Sequence, residues 1–306
     1  QGEITAIDEI QVGDIINYNP SGTYDLDKEY ATSDETGKVT LSSASGKNFN
    51  VNKWKVLNID KSTGKIEMVP ATIPSGTVEL QGAQGYNNGV KLLNDVCSNL
   101  YGNTTKGIIA RSINEEDFVK VGGAKWKNKR ASYIYIVQYG NQFINPSTVD
   151  NYYPIIYKEE KNSVINGIKA IGKKLKAQSE QETFINKIDD DATDGYLRAS
   201  TSIQPYQTYY NTKDYATTSN LLEGYSEILL PDSSFTQYWI ASRCICPAKG
   251  EKVDFAMHRL VGGYFQACFL LRSNAETSGE YRKLFPVVSL NSQLLEKAAD
   301  GTYNVK

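Results

Sequence analysis

His258 is the only histidine among 306 residues, and the groups that could do chemistry with it lie close by in sequence. Asp254 precedes it, Arg259 follows it, Cys244 and Cys246 lie upstream and Cys268 downstream. A thiol beside an imidazole is a nucleophile with its base, and Cys268 with His258 is the pair this chain offers. Cys244, Cys246, His258 and Cys268 also carry zinc-ligand chemistry. The single residue between the first two departs from the usual knuckle spacing of structural zinc sites. No Gly-x-Ser-x-Gly elbow surrounds a serine, and Gly122-Gly123 and Gly262-Gly263 make no phosphate-cradling loop. His258 therefore reads as a structural or surface histidine. No catalytic residue, metal or cofactor is assigned.

Carboxylates and tyrosines supply the other candidates. Glu115-Glu116 and Glu159-Glu160 read as charged helix turns or solvated faces, although carboxylates can converge in space to cleave a glycosidic bond. A hydrolase with an unrecognised carboxylate site is thus one alternative function. Asp189, Asp190, Asp191 and Asp194 crowd enough charge to hold calcium. They lack the spacing and terminal glutamate of an EF-hand loop and read as a solvated loop. Residues 197–225 are rich in Tyr, Thr, Ser and Asn. There Tyr206, Tyr209, Tyr210 and Tyr215 are candidate ligand contacts, with rings to stack on a sugar and hydroxyls to bond it laterally. Asn103-Thr104-Thr105 meets the glycosylation acceptor pattern, which places it on an exposed turn.

A net charge of −2 favours neither nucleic acid nor an anionic membrane. No apolar run is long enough to span a bilayer. The chain starts at Gln1, which reads as a processed or trimmed product. With 21 tyrosines and many threonines, the composition suits pleated sheet. The four cysteines allow three complete pairings, and Cys97–Cys244 with Cys246–Cys268 is the preferred one. Four buried thiols are the alternative.

Elements follow from periodicity. Trp54–Asp60 alternates as a strand with Trp54, Val56 and Asn58 on one face; Lys61–Gly64 turns, and Lys65–Val69 returns. Thr77–Leu80 is extended and is followed by Gly82, Gly85 and Gly89. Val90, Leu93, Val96, Cys97 and Leu100 then make one helical face, which Gly102 ends. Ser112 to Glu115 resembles a capping box opening a short helix through Phe118. Further strands are expected at Glu227–Leu230, Gln237–Ser242, Gly263–Arg272 and Pro286–Leu290. In this frame Trp239 is buried and Arg243 emerges at a strand end.

Five segments, Trp54–Leu57, Tyr86–Val90, Ala110–Asn114, Tyr238–Arg243 and Pro286–Leu290, together resemble an uncharacterised extracellular domain of gut Firmicutes surface proteins. In that pattern Tyr86–Val90 is a turn into a helix. The order of a tryptophan strand, polar loops and a late Val-Val-Ser-Leu strand is also similar to C-type-lectin-like and formylglycine-generating-enzyme-like folds. The resemblance implies adhesion, receptor binding or display of a ligand surface. It carries over no copper-binding cysteine pair and no calcium-dependent sugar signature, because those motifs are absent.

The expected fold is α+β, with mixed or mostly antiparallel sheets and a few short helices. Residues 1–50 form an N-terminal extended or hairpin region. Residues 51–290 form the main domain, with a divergent or inserted segment near 158–196, and 291–306 a C-terminal strand or tail. The expected function is a secreted or surface-displayed structural or adhesion protein, with a filament subunit as one form. Self-association would run through the termini, which could add strands to a neighbour. A carbohydrate- or receptor-binding module, with a host, phage or cell-surface glycan or protein as partner, is the alternative.

Overall fold

The computed structural model describes residues 6–24, 30–31, 36–37, 48–123, 152–153, 176–177, 218–232, 236–248, 252–272 and 278–306. The first sheet grows from the hairpin that the alternation around Trp54 predicts. Strand β1 (Ile15–Asn17) pairs with β2 (Lys53–Asp60), and β2 with β3 (Lys65–Pro70). At the β2–β3 turn, Asp60 accepts the backbone N–H and hydroxyl groups of Ser62 and Thr63, and Gly64 takes a φ of 73°. These bonds hold the Asp60 carboxyl down at about 2. Leu57 is bulged out of register, so Val56 and Leu57 are both buried and Asn58 lies opposite Glu67.

Beyond Thr77–Gln81 (β4), the chain enters helix α1 (Gly82–Tyr101). The expected apolar stripe is present, with Leu93, Val96 and Cys97 fully buried and Gly102 capping the end. The helix begins earlier than the glycines suggest, so Tyr86–Val90 lies within it. Each interior glycine costs a helix about 1 kcal/mol, yet here they let α1 lie directly on β4. A Cβ on Gly85 would stand 2.9 Å from the Leu80 carbonyl carbon, and one on Gly89 3.1 Å from Leu80 Cδ1.

β5 (Ile109–Ser112) and α2 (Glu115–Lys120) follow. The capping box is real but sits two residues later than Ser112. Asn114 Oδ1 accepts from the Asp117 N–H, and the Asp117 carboxylate accepts from the Asn114 N–H. Ser112 belongs to β5, where the buried Asn94 of α1 accepts its outward N–H at 2.9 Å and blunts the sheet edge.

Glu227–Leu230 is not a strand. Gly224, at φ 85°, opens a short helix, α3 (Tyr225–Leu229), which buries Ile228 and Leu229. Two neighbouring apolar residues suit either period, so alternation alone could not choose. The second sheet is built from β6 (Gln237–Ala248), β7 (Lys252–Val261), β8 (Tyr264–Arg272) and β9 (Gly279–Lys283), in the order β8-β7-β6-β9-β4. β7 carries no clean alternation because Asp254, His258 and Arg259 interrupt it. Arg243 lies inside β6 in register with Met257, just past an irregularity at Ala241 and Ser242.

β10 (Pro286–Asn291), β11 (Leu295–Lys297) and β12 (Tyr303–Val305) complete the first sheet in the order β11-β12-β1-β2-β3-β10-β5. The segments proposed as strand donors, at both ends of the chain, thus pair within their own sheet. The fold is α+β with mostly antiparallel sheets, and among the described residues strands run parallel only where β1 meets β12 and β6 meets β9. Helix α1 packs against β5 and β10 of the first sheet and β4, β6, β7 and β8 of the second.

Trp239 is fully buried, and its indole N–H donates to the Val78 carbonyl at 2.9 Å. Beside it, Tyr238 stacks on Phe285 at 4.3 Å and donates its hydroxyl to the Leu229 carbonyl. The expected disulfides are corrected: no disulfide bond is present among the described residues. Cys97 and Cys268 are both free and buried, which removes one member from each proposed pair. Packed as small apolar groups, both thiols are pushed up by burial, Cys268 to about 12.

Candidate functional site

Amide side chains converge where β1, β2 and β12 meet the turn after α1. The cleft there has a volume of about 620 Å3, and Asn17, Asn19, Asn52, Asn103 and Asn304 contribute to its lining. Tyr18, Ser21, Lys53, Lys106 and Val305 complete it.

Its frame is rigid for reasons visible in the packing. The buried Trp54 donates its indole N–H to the Tyr18 carbonyl at 2.8 Å. The Tyr18 hydroxyl donates to the Tyr101 carbonyl at 2.9 Å, and the Tyr101 hydroxyl to the Phe49 carbonyl at 2.7 Å. The rings of Tyr18 and Tyr101 stand 6.1 and 5.6 Å from that of Trp54. Burial raises the titration of both phenols, so they stay neutral donors. The Tyr18 N–H donates to the Asn52 carbonyl, tying the two walls together. Gly22 then lets the chain touch the end of α1: a Cβ there would fall 1.9 Å from the Asn99 carbonyl oxygen.

The five amides divide into two groups. Asn17 donates to Thr302 and Asn304 at 2.9 Å, joining β1 to β12. Asn103 accepts from the Lys106 N–H as the cap of the Thr104–Lys106 turn, the exposed turn expected at the glycosylation pattern. Lys106 reaches across to the Lys306 backbone oxygen. Asn19 and Asn52, by contrast, are exposed, with no side-chain hydrogen bond among the described residues. Each offers a carbonyl acceptor and an NH2 donor from one planar group. Such a lining can bind alternating donors and acceptors, with the exposed Lys53 adding one positive charge at its side.

The residues singled out from sequence fall elsewhere. Tyr206, Tyr209, Tyr210, Tyr215 and Asp189–Asp194 lie outside the described residues. Trp54 and Trp239 are buried framework. Cys244 and Cys246 stand on β6 in register with Ala256 and Asp254. His258 pairs with Ala267, whereas Cys268 pairs with Met257, so the two project from opposite faces of the sheet. They cannot form a nucleophile–base pair, and the four-ligand zinc set cannot converge. His258 is buried with its ring edge-on to Phe265 at 4.6 Å. Among the described residues no cluster of metal-ligating side chains occurs.

A charged cluster lies outside the cleft, around the buried Glu67 of β3. Arg111 grips Asp117 with two bonds of 2.6 Å and stands 3.7 Å from Glu67. Lys65 and Lys120 also approach Glu67, and Asn58 donates to it. Burial opposes ionisation of Glu67, but Lys120, Arg111 and Lys65 outweigh it and hold the carboxyl below its ordinary range. An anion locked this way anchors α2 and is poorly suited to act as a general acid.

Sequence reasoning missed the amide cleft because its members are scattered from position 17 to 304. The only local trace is asparagine recurring beside strand ends, at Asn17, Asn19 and Asn52. Comparison with family models, curated proteins and solved structures finds no match for this chain.

Proposed function

We propose that this chain is an adhesion module, displayed outside the cell, that holds a hydroxyl-rich ligand, a glycan, without chemically changing it. The observation that carries the reading is the cleft, with two uncommitted amides on a frame already fixed by Trp54, Tyr18 and Tyr101. Sugar hydroxyls both donate and accept, and neutral amides meet both needs without the desolvation cost of a charge. Pre-set walls reduce the entropy lost on binding. The Tyr-, Thr- and Asn-rich composition supports surface display. The free thiols withdraw disulfides from that argument.

Glycan-array binding of the wild-type chain, Asn19→Ala/Asn52→Ala and a variant lacking the four candidate tyrosines tests this directly. The reading expects a glycan retained by the wild type and lost in the double asparagine variant. Binding that survives both asparagine changes but is lost with Tyr206, Tyr209, Tyr210 and Tyr215 moves the site to the tyrosine segment.

A further inference from the structure

The second sheet does not stay open. β8 and β9 are separated in its order by β7 and β6, yet Ser278, just before β9, donates its N–H to Leu270 of β8 at 2.9 Å. The sheet therefore curls back on itself, which brings Cys268 near Glu280. The Cys268 thiol donates to the Phe269 carbonyl at 3.8 Å and lies within electrostatic reach of Glu280. From β7 and β9, Arg259 and Arg282 both reach the same carboxylate oxygen, Oε2 of Glu280.

Among the described residues two guanidinium groups share one carboxylate, which leaves one positive charge uncompensated. The side chains are 18%, 20% and 27% exposed for Arg259, Arg282 and Glu280, so the cluster is recessed, with part of each side chain open to solvent and the two Nε atoms covered. Nε of Arg259 and Nε of Arg282 are buried with no hydrogen-bond partner among the described residues. A buried donor left unmade is costly, and an isolated structural ion pair would not need a second guanidinium. Arg259 donates Nη1 to Glu280, which frees its Nε–Nη2 edge, the fork that donates to two oxygens of one anion. Arg282 spends Nη1 on the Tyr281 carbonyl and Nη2 on Glu280, keeping Nε free. Burial, opposed by Glu280 and reinforced by Arg259, pulls the Arg282 titration down, as expected for an under-neutralised pair.

We propose that Arg259 and Arg282 form an oxyanion site for a ligand that presents two oxygens on one edge, as carboxylate and phosphate do. The two oxygens take the Nε–Nη2 edge of Arg259, beside the unpaired Nε–H of Arg282, and supply the missing negative charge. This site is on the second sheet and does not depend on the amide cleft.

The test is an NMR titration of the arginine Nε–H resonances with acetate and with inorganic phosphate, against chloride at equal ionic strength. The Nε–H signals of Arg259 and Arg282 should shift saturably with at least one of the two oxyanions and not with chloride. The tighter of the two identifies the ligand group. Arg259→Gln should weaken that binding by about tenfold or more. Arg259→Lys, which keeps the charge but loses the fork, should also fail to restore it. Wild-type Nε–H signals that stay put, respond equally to chloride, or accompany unchanged affinity in Arg259→Gln would overturn the proposal. The wild-type spectra decide it even where a variant does not fold.

Discussion

Arg111 shows how single residues set this molecule's response to acid. It joins α2 to the sheet through Asp117 while standing beside Glu67, both carboxylates being almost wholly buried. Against the opposing effect of burial, Lys120, Arg111 and Lys65 hold the folded titration of Glu67 below its unfolded, ordinary carboxylate value. Its stabilisation is therefore complete above that value and is lost as pH falls through the lower, folded one. Thermal unfolding from about pH 6 down to about pH 3 should show the wild type losing stability faster than Glu67→Gln, so that the gap between them narrows in acid. A gap independent of pH would mean that Glu67 is not held ionised by its cations. None of this was legible locally: Glu67 sits in an alternating strand like any outward carboxylate, and its partners arrive from β5 and α2. The two tryptophans were legible, because large rings in apolar, alternating segments have few places to go but the core.

At the scale of elements, strands with clean alternation were readable from sequence: β2, β3, β4, the start of β6, β8 and β10 lie where periodicity puts them. β7 was missed because charged residues interrupt its pattern, and α3 was mistaken for a strand because two apolar residues fit either period. Helix α1 was shortened in the reading because its glycines serve packing and not helix propensity. Gly22 follows the same logic at the cleft. A Cβ there collides with backbone, so Gly22→Ala must push the wall containing Asn19 and Ser21 away from α1. The substitution should cost about 1–3 kcal/mol in chemical denaturation and weaken glycan binding, although Gly22 does not line the cleft. Unchanged stability together with unchanged binding would show that the loop does not depend on its contact with the helix.

Across the whole molecule, two sheets share one helix, and each carries one of the two proposed sites. The first ends in an amide cleft built from residues far apart in sequence, which only the closure of β1 against β12 and β2 brings together. The fold class was legible because alternation and helical periodicity are local properties. The cleft was not, because long-range strand pairing selects its members. The same pairing draws β1 and β12 into one sheet, so the adhesion we propose rests on the cleft and not on donated strands. The most direct test is to titrate the labelled chain with a soluble oligosaccharide that it binds, following the side-chain NH2 resonances of its asparagines. The amide-cleft account predicts that Asn19 and Asn52 shift and saturate together with ligand occupancy. An oligosaccharide that saturates the protein while both side chains remain unmoved would contradict it.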